Sequence, residues 1–191
     1  MKSIAALISL SIFAFVTGCS PYYDDFQYSP RPAVVDIRTA SGPQATPVTA
    51  LASVIGVHRE DEKDGLPESV EVRLRLENNS SQTVTFDPHS MELTSGQITM
   101  FAPPIVRAPS SIALEPMQST ALTAFFPLPP RWGDRELNSL ILRWIVQIGN
   151  QKVSQTATFQ RIYTRVYYYD DPYWGPRPGF WYGGVVVIHR R

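Results

Sequence analysis

Few side chains in this sequence are equipped for chemistry, and they are scattered. There is one thiol, Cys19, and there are three imidazoles, His58, His89 and His189. The imidazoles lie far apart, with no His-Glu-x-x-His spacing, so a zinc site would need them to converge through folding alone. No metal is expected. Asp87, His89 and Ser90 are the residue types of a nucleophilic relay, but they crowd around Pro88. A relay joins groups distant in sequence, whereas Asp-Pro marks a turn. Glu60-Asp61-Glu62-Lys63-Asp64-Gly65 is the densest acidic run. It offers the oxygens a hard cation wants, but lacks the alternating ligand spacing and the distal Glu of a calcium loop. It reads as a solvated loop between two strands. No Ser stands in a Gly-x-Ser-x-Gly context, and neither a P-loop nor a dinucleotide fingerprint is present. The expectation is therefore no enzyme, no catalytic residue and no cofactor.

The thiol has a specific setting. Met1-Lys2 gives a short positive start, and Ile4 to Val16 is apolar except for Ser9 and Ser11. About a dozen apolar residues are too few to span a bilayer core of ~30 Å, and match the apolar region of an export signal. The segment closes on Val16-Thr17-Gly18-Cys19. This ending resembles the lipobox of bacterial lipoproteins: an aliphatic residue, a small residue, Gly or Ala, then Cys. The resemblance implies a signal-peptide helix over residues 1–18, cleavage before Cys19, and acylation of Cys19 on sulfur and on its new amine. Several acyl chains hold a protein firmly to a membrane, where one chain binds only marginally. In Gram-negative lipoproteins an Asp after the Cys favours inner-membrane retention. Ser20 stands there instead, which implies an outer-membrane, periplasm-facing location.

Composition bounds the rest. The 191 residues suit one domain with a sizeable core. Lys+Arg and Asp+Glu are balanced at 17 each, which argues against a nucleic-acid partner, since binding phosphates takes a basic surplus. A single Cys rules out an intrachain disulfide.

Two segments resemble each other. Tyr22-Tyr23-Asp24-Asp25 is followed after four residues by Pro30-Arg31-Pro32, and Tyr168-Tyr169-Asp170-Asp171 is followed likewise by Pro176-Arg177-Pro178. Pro- and Tyr-rich stretches favour extended backbone and cannot bury a core of their own. Three readings stay open: linkers of shared composition, a duplicated contact element, or tails packed on their own domain. As contact elements, Tyr22, Tyr23, Tyr168, Tyr169, Trp174 and Trp181 would offer flat stacking faces, and Arg31 and Arg177 would pair with anionic groups. At the end of the chain, Gly183-Gly184 precedes Val185 to Ile188, a strand-forming run that would aggregate if left exposed. It should dock on the domain or on another chain.

The middle alternates. Val70, Val72, Leu74 and Leu76 share one face, and Glu71, Arg73, Arg75 and Glu77 share the other. Period two means a half-buried antiparallel strand. Further strands are expected from about Leu51 to His58, over Thr83 to Phe86, and as a hairpin of Met91 to Thr94 with Gln97 to Phe101. Ile112 to Leu114, Ser119 to Phe126 and Leu140 to Ile148 follow, then a return strand after the Gly149-Asn150 turn. Trp144 should pack in the core. The predicted fold is all-β, an immunoglobulin-like antiparallel sandwich of about seven to eight strands. The pattern resembles uncharacterised bacterial envelope lipoproteins with one such domain, through Val72 to Asn79, Leu114-Glu115-Pro116 before Ser119, and Leu140 to Trp144.

The expected organisation is a signal peptide over 1–18, a lipidated Tyr/Pro-rich linker over 19–47, the sandwich over 48–163 and an aromatic tail over 164–191. The expected function is a non-enzymatic envelope lipoprotein. It is held to the lipid bilayer by acylated Cys19 and acts as a structural or interaction module for another envelope protein. The alternative is a binder of a small envelope ligand, a glycan fragment or a lipid.

Overall fold

The computed structural model describes residues 22–23, 25–38, 47–60, 63–96, 98–133 and 135–163. Val16, Thr17, Gly18 and Cys19 lie outside the described residues, as do Tyr168, Tyr169, Trp174, Arg177 and Trp181.

Eleven strands follow in order: β1 (Gln27–Ser29), β2 (Ala33–Ile37), β3 (Val48–His58), β4 (Ser69–Asn78), β5 (Val84–Phe86), β6 (Glu92–Ser95), β7 (Ile105–Val106), β8 (Ile112–Leu114), β9 (Ser119–Pro127), β10 (Ser139–Ile148) and β11 (Gln151–Ile162). They form two antiparallel sheets packed as an immunoglobulin-like sandwich. One runs β2-β3-β4-β9-β7. The other runs β1-β11-β10-β5-β8, with β6 also on β10. β5 and β6 meet the same partner strand at different heights: Val84–Phe86 pairs with Val146–Ile148, and Glu92–Ser95 pairs with Leu140–Arg143. Between them the chain steps out through a short 3-10 turn, where the Asp87 carboxylate accepts from the His89 amide at 2.9 Å. That is the turn expected at Pro88.

Alternation fixes the core. Val70, Val72, Leu74 and Leu76 of β4 are buried, facing Leu140, Leu142, Trp144, Val146 and Phe159 of the opposite sheet in one cluster. Trp144 is fully buried, as expected, although its indole N–H finds no acceptor among the described residues.

Two differences from the sequence reading stand out. The sandwich takes in β1 and β2, which lie within residues 19–47, the stretch expected to be linker. Phe26, Tyr28 and Ile37 are buried there, so this segment belongs to the packed body. Gln97 to Phe101 does not form a full hairpin strand. Among its described residues only an isolated Thr94–Met100 bridge appears, because Ile98 turns at φ 69° and stays exposed. The outward Arg residues of β4 pair along their own strand, Arg73 with Glu71 and Arg75 with Glu77, both at 2.8 Å. A side chain two positions on is the same-face neighbour on a pleated strand. Arg143 does pair across strands, with Glu92 opposite it at 3.4 Å.

At the far end of β4, Asn78 bolts the sheets together. Its Nδ2 donates to the carbonyls of Gln82 and Leu114 at 2.8 and 2.9 Å, and its Oδ1 accepts from Ser80 N and Oγ. Leu114 is buried, and a buried carbonyl that loses its donor costs about 1–3 kcal/mol. Asn78→Ala should therefore lower unfolding stability by at least that much in urea titrations. Asn79→Ala, at an exposed neighbour, should stay within about 0.5 kcal/mol. Equal losses would show that Asn78 is no bolt.

Candidate functional site

The densest meeting of polar and aromatic side chains lies where the N-terminal segment joins the sandwich. Tyr22 bridges to His58 at the end of β3, and the Tyr23 amide donates to the Val57 carbonyl at 3.1 Å. The segment thus prolongs the sheet along the β3 edge that β2 covers lower down, at Val48–Ala52. Between these two stretches the pairing of β3 with β4 slips by one residue, between Val54 and Gly56. Gly56 sits at φ 156°, and a Cβ there would stand 3.1 Å from the Phe26 carbonyl oxygen. The close pass of the N-terminal segment therefore depends on a residue without a side chain.

After Tyr23 the chain turns, with the Phe26 amide bonded to the Tyr23 carbonyl, and crosses to the other sheet, where β1 pairs with β11. Tyr28 is almost fully buried, and its hydroxyl donates to the Leu137 carbonyl at 2.9 Å. Burial, above all, pushes that phenol well above its ordinary value, with the Arg161 charge opposing. Two cis peptide bonds, Ser29-Pro30 and Arg31-Pro32, follow before β2.

Tyr22 covers a carboxylate. Its hydroxyl donates to Glu71 Oε2, and Arg73 Nε holds Glu71 Oε1 at 2.8 Å. Glu71 is only 2% exposed, although it stands on the face read as the solvated one. The Tyr22 phenol is pushed up to about 12, by burial first and then by the hydrogen bond to Glu71 and its charge; Arg73 works against the rise. The edge of the Tyr22 ring meets His58, 5.5 Å between centroids, and His58 in turn meets Phe125 at 5.6 Å. His58 is buried, and its Nδ1 has no partner among the described residues.

A second cluster continues the first. Arg59 stacks over Tyr23 at 4.6 Å, and a hydrogen bond to Glu68 is the main cause raising the Tyr23 phenol. Trp132 Nε1 donates to the same Glu68 at 2.9 Å, and Trp132 meets Phe26 edge-on. On the other side of Phe26, the Arg161 guanidinium stacks at 4.0 Å while its Nε donates to the Asp25 carbonyl at 3.1 Å. Stacked cations desolvated in this way contribute on the order of 1–2 kcal/mol.

Of the sequence-predicted contact residues, Tyr22 and Tyr23 are thus half-buried against their own domain, and Arg31 is exposed between the two cis prolines. Glu71, Phe26, Tyr28, Trp132 and Arg161 complete the site and were not singled out from sequence. Phe26 and Tyr28 carried a signal, two apolar positions at strand spacing. Glu71 carried none, because its burial depends on a segment 49 residues earlier in the chain. Chemically the site is a clamp: each carboxylate oxygen of Glu71 is engaged, and the aromatic faces are filled by neighbouring rings and guanidinium groups. Among the described residues no group of three His, Cys, Asp or Glu side chains could hold a metal ion.

No family model matches the chain, and no curated protein matches it. Among solved structures, it is similar to the yjhA protein from Bacillus subtilis, at 10% identity and a TM-score of 0.35, covering 50% of this chain and 71% of that one. It is also similar to a FixG-related protein from Vibrio parahaemolyticus, at 14% identity and a TM-score of 0.35, covering 59% of this chain and 95% of that one.

The raised phenol sets a pH test. Below pH 10 the folded and unfolded chains both keep the Tyr22 proton. Between pH 10 and about 12 only the unfolded chain releases it, so stability declines across that window. Tyr22→Phe should flatten this alkaline limb in urea midpoints taken from pH 7 to 12. It should also cost about 1.5–3 kcal/mol at pH 7, the value of a hydrogen bond to a charged group. Parallel pH curves for the two proteins would contradict the contact.

Proposed function

We propose that the chain is a non-enzymatic lipoprotein of the bacterial envelope. In this reading it is anchored through acylated Cys19 to the periplasmic face of the outer membrane, and the sandwich works as a structural or protein-interaction module held close to the bilayer. The lipobox resemblance of Val16-Thr17-Gly18-Cys19 supports the anchor. The observation that carries the close apposition is the pairing of Tyr22 with His58. Only three Cα steps of ~3.8 Å separate Cys19 from Tyr22, so the clamp lies at most about 11 Å from the lipidated residue. A linker reaching to residue 47 would have let the domain stand far from the membrane. The clamp leaves a leash of two residues.

The leash also orients the domain. The His58 end of β3 pairs with Ser69, at the start of β4, and β4 then runs to Asn78. At ~3.4 Å per residue the Asn78 end lies roughly 30 Å away. The Gly149-Asn150 hairpin belongs to that far end, since the Gly149 amide bonds to the Thr83 carbonyl beside the Asn78 network. The far end and the C-terminal aromatic residues Tyr168, Tyr169, Trp174, Arg177 and Trp181 are then the parts left to meet an envelope protein partner.

The mature protein in vesicles with nitroxide-bearing headgroups tests this. Fluorophores on Glu60→Cys and Asn150→Cys report the two ends. Strong quenching at position 60 and weak quenching at 150 is expected, together with labelled palmitate that enters the protein and is lost in Cys19→Ala. Equal quenching at the two ends would contradict the orientation. A Cys19→Ala protein that still partitions with membranes would contradict the anchor.

A further inference from the structure

The two sheets have edges, and among the described residues two of them stand partly open: the outer side of β11 from Gln151 to Phe159, beyond the three residues that β1 covers, and one side of β9, which alone of the two borders an apolar groove. β9 bonds to β4 along its whole length, Ser119 to Pro127. On its other side β7 reaches only Phe125 and Ala124. From Ser119 to Thr123 no described residue pairs with that side. Natural edge strands are kept short, or carry charges or Pro that stop a further strand from adding. β1 and β8 have three residues each, β2 carries Asp36 and follows Pro32, and the stretch of β11 that β1 leaves open carries Lys152. Ser119-Thr120-Ala121-Leu122-Thr123 has neither a charge nor a Pro.

A groove of about 540 Å³ runs beside this stretch, lined among others by Leu66, Val106, Pro109, Ile112, Leu122 and Phe125. An added strand would bond its backbone to the open edge and send every second side chain into such a groove.

We propose that residues Val185–Ile188 of the same chain are the strand that closes the β9 edge. Outside the described residues and the apolar export signal, Val185-Val186-Val187-Ile188 is the strongest strand-forming run: four β-branched residues without a charge, after Gly183-Gly184. Its four residues fit within the open stretch of five, Ser119 to Thr123. Alternate side chains, Val185 and Val187 or Val186 and Ile188, are of the size and polarity of the groove lining. Reach is ample. From Tyr163 to Val185 the backbone can extend about 70 Å, against roughly 40 Å for the diameter of a compact domain of this size. A segment joined to its own domain meets the edge at an effective concentration on the order of millimolar, far above that of a second copy in dilute solution.

Hydrogen exchange resolved to single amides, on the full mature chain, tests the assignment. The amides of Ser119–Thr123 that point away from β4 should exchange slowly. Replacing both Val186→Lys and Val187→Lys should speed them about tenfold or more, and leave the amides of β4 and β10 unchanged as the control for folding. The slow exchange should be the same at 1 and 50 micromolar protein (about those values suffice, since a cis contact does not depend on concentration). Fast exchange in the unsubstituted chain, or slow exchange that survives the double substitution, would overturn the proposal. So would protection that disappears on dilution, which would assign the strand to a second copy.

Discussion

Everything at the N-terminal end of this molecule depends on one backbone approach, the passage of Tyr22 to Phe26 over Gly56. A Cβ at residue 56 would crowd the Phe26 carbonyl oxygen at 3.1 Å, on a backbone at φ 156° that side chains rarely adopt. Its absence lets the Tyr23 amide reach Val57 and sets the Tyr22 hydroxyl over Glu71. From that point the chain crosses to the opposite sheet as β1 and returns as β2, so one short segment covers an edge of each sheet. Covering edges is a general need of open sheets. Here it is met in part by Tyr22 and by β1 and β2.

A sandwich without a disulfide needs other ties between its layers. Dispersion and burial supply most of the cohesion, through Trp144, Phe86, Phe126 and Phe159. Polar groups then fix register at the two ends. Tyr28 joins β1 to the Leu137 carbonyl, and Asn78 joins β4 to the carbonyls of Gln82 and Leu114. Buried polar groups are costly when unpaired and specific when paired, which makes each of these contacts a constraint on the fold.

Strands that bury one face and wet the other were legible from alternation alone. β3, β4, β9 and β10 lie within a few residues of their expected bounds, and Trp144 lies in the core. The short edge strands β1, β2 and β7 were not, because two to five residues give too little period to read. Asn78 is a buried hub that the alternation did not reveal, since its partners come from turns and strands that a local window does not see. The same holds for the clamp. Glu71 alternates as a surface residue, and only the arrival of Tyr22 from far earlier in the chain removes it from water. The likeness between Tyr22-Tyr23-Asp24-Asp25 and Tyr168-Tyr169-Asp170-Asp171 is visible in the sequence. What the first copy does, packing on its own domain, needed the fold.

The central claim is that the packed domain begins by Tyr22, three residues after the proposed lipidation site Cys19. The most direct measurement is the exchange rate of the Tyr23 amide in the lipidated mature protein. A rate slowed to that of neighbouring β3 amides is the result this account requires. A rate equal to that of an unstructured peptide would mean that the tether is long and that the clamp does not hold.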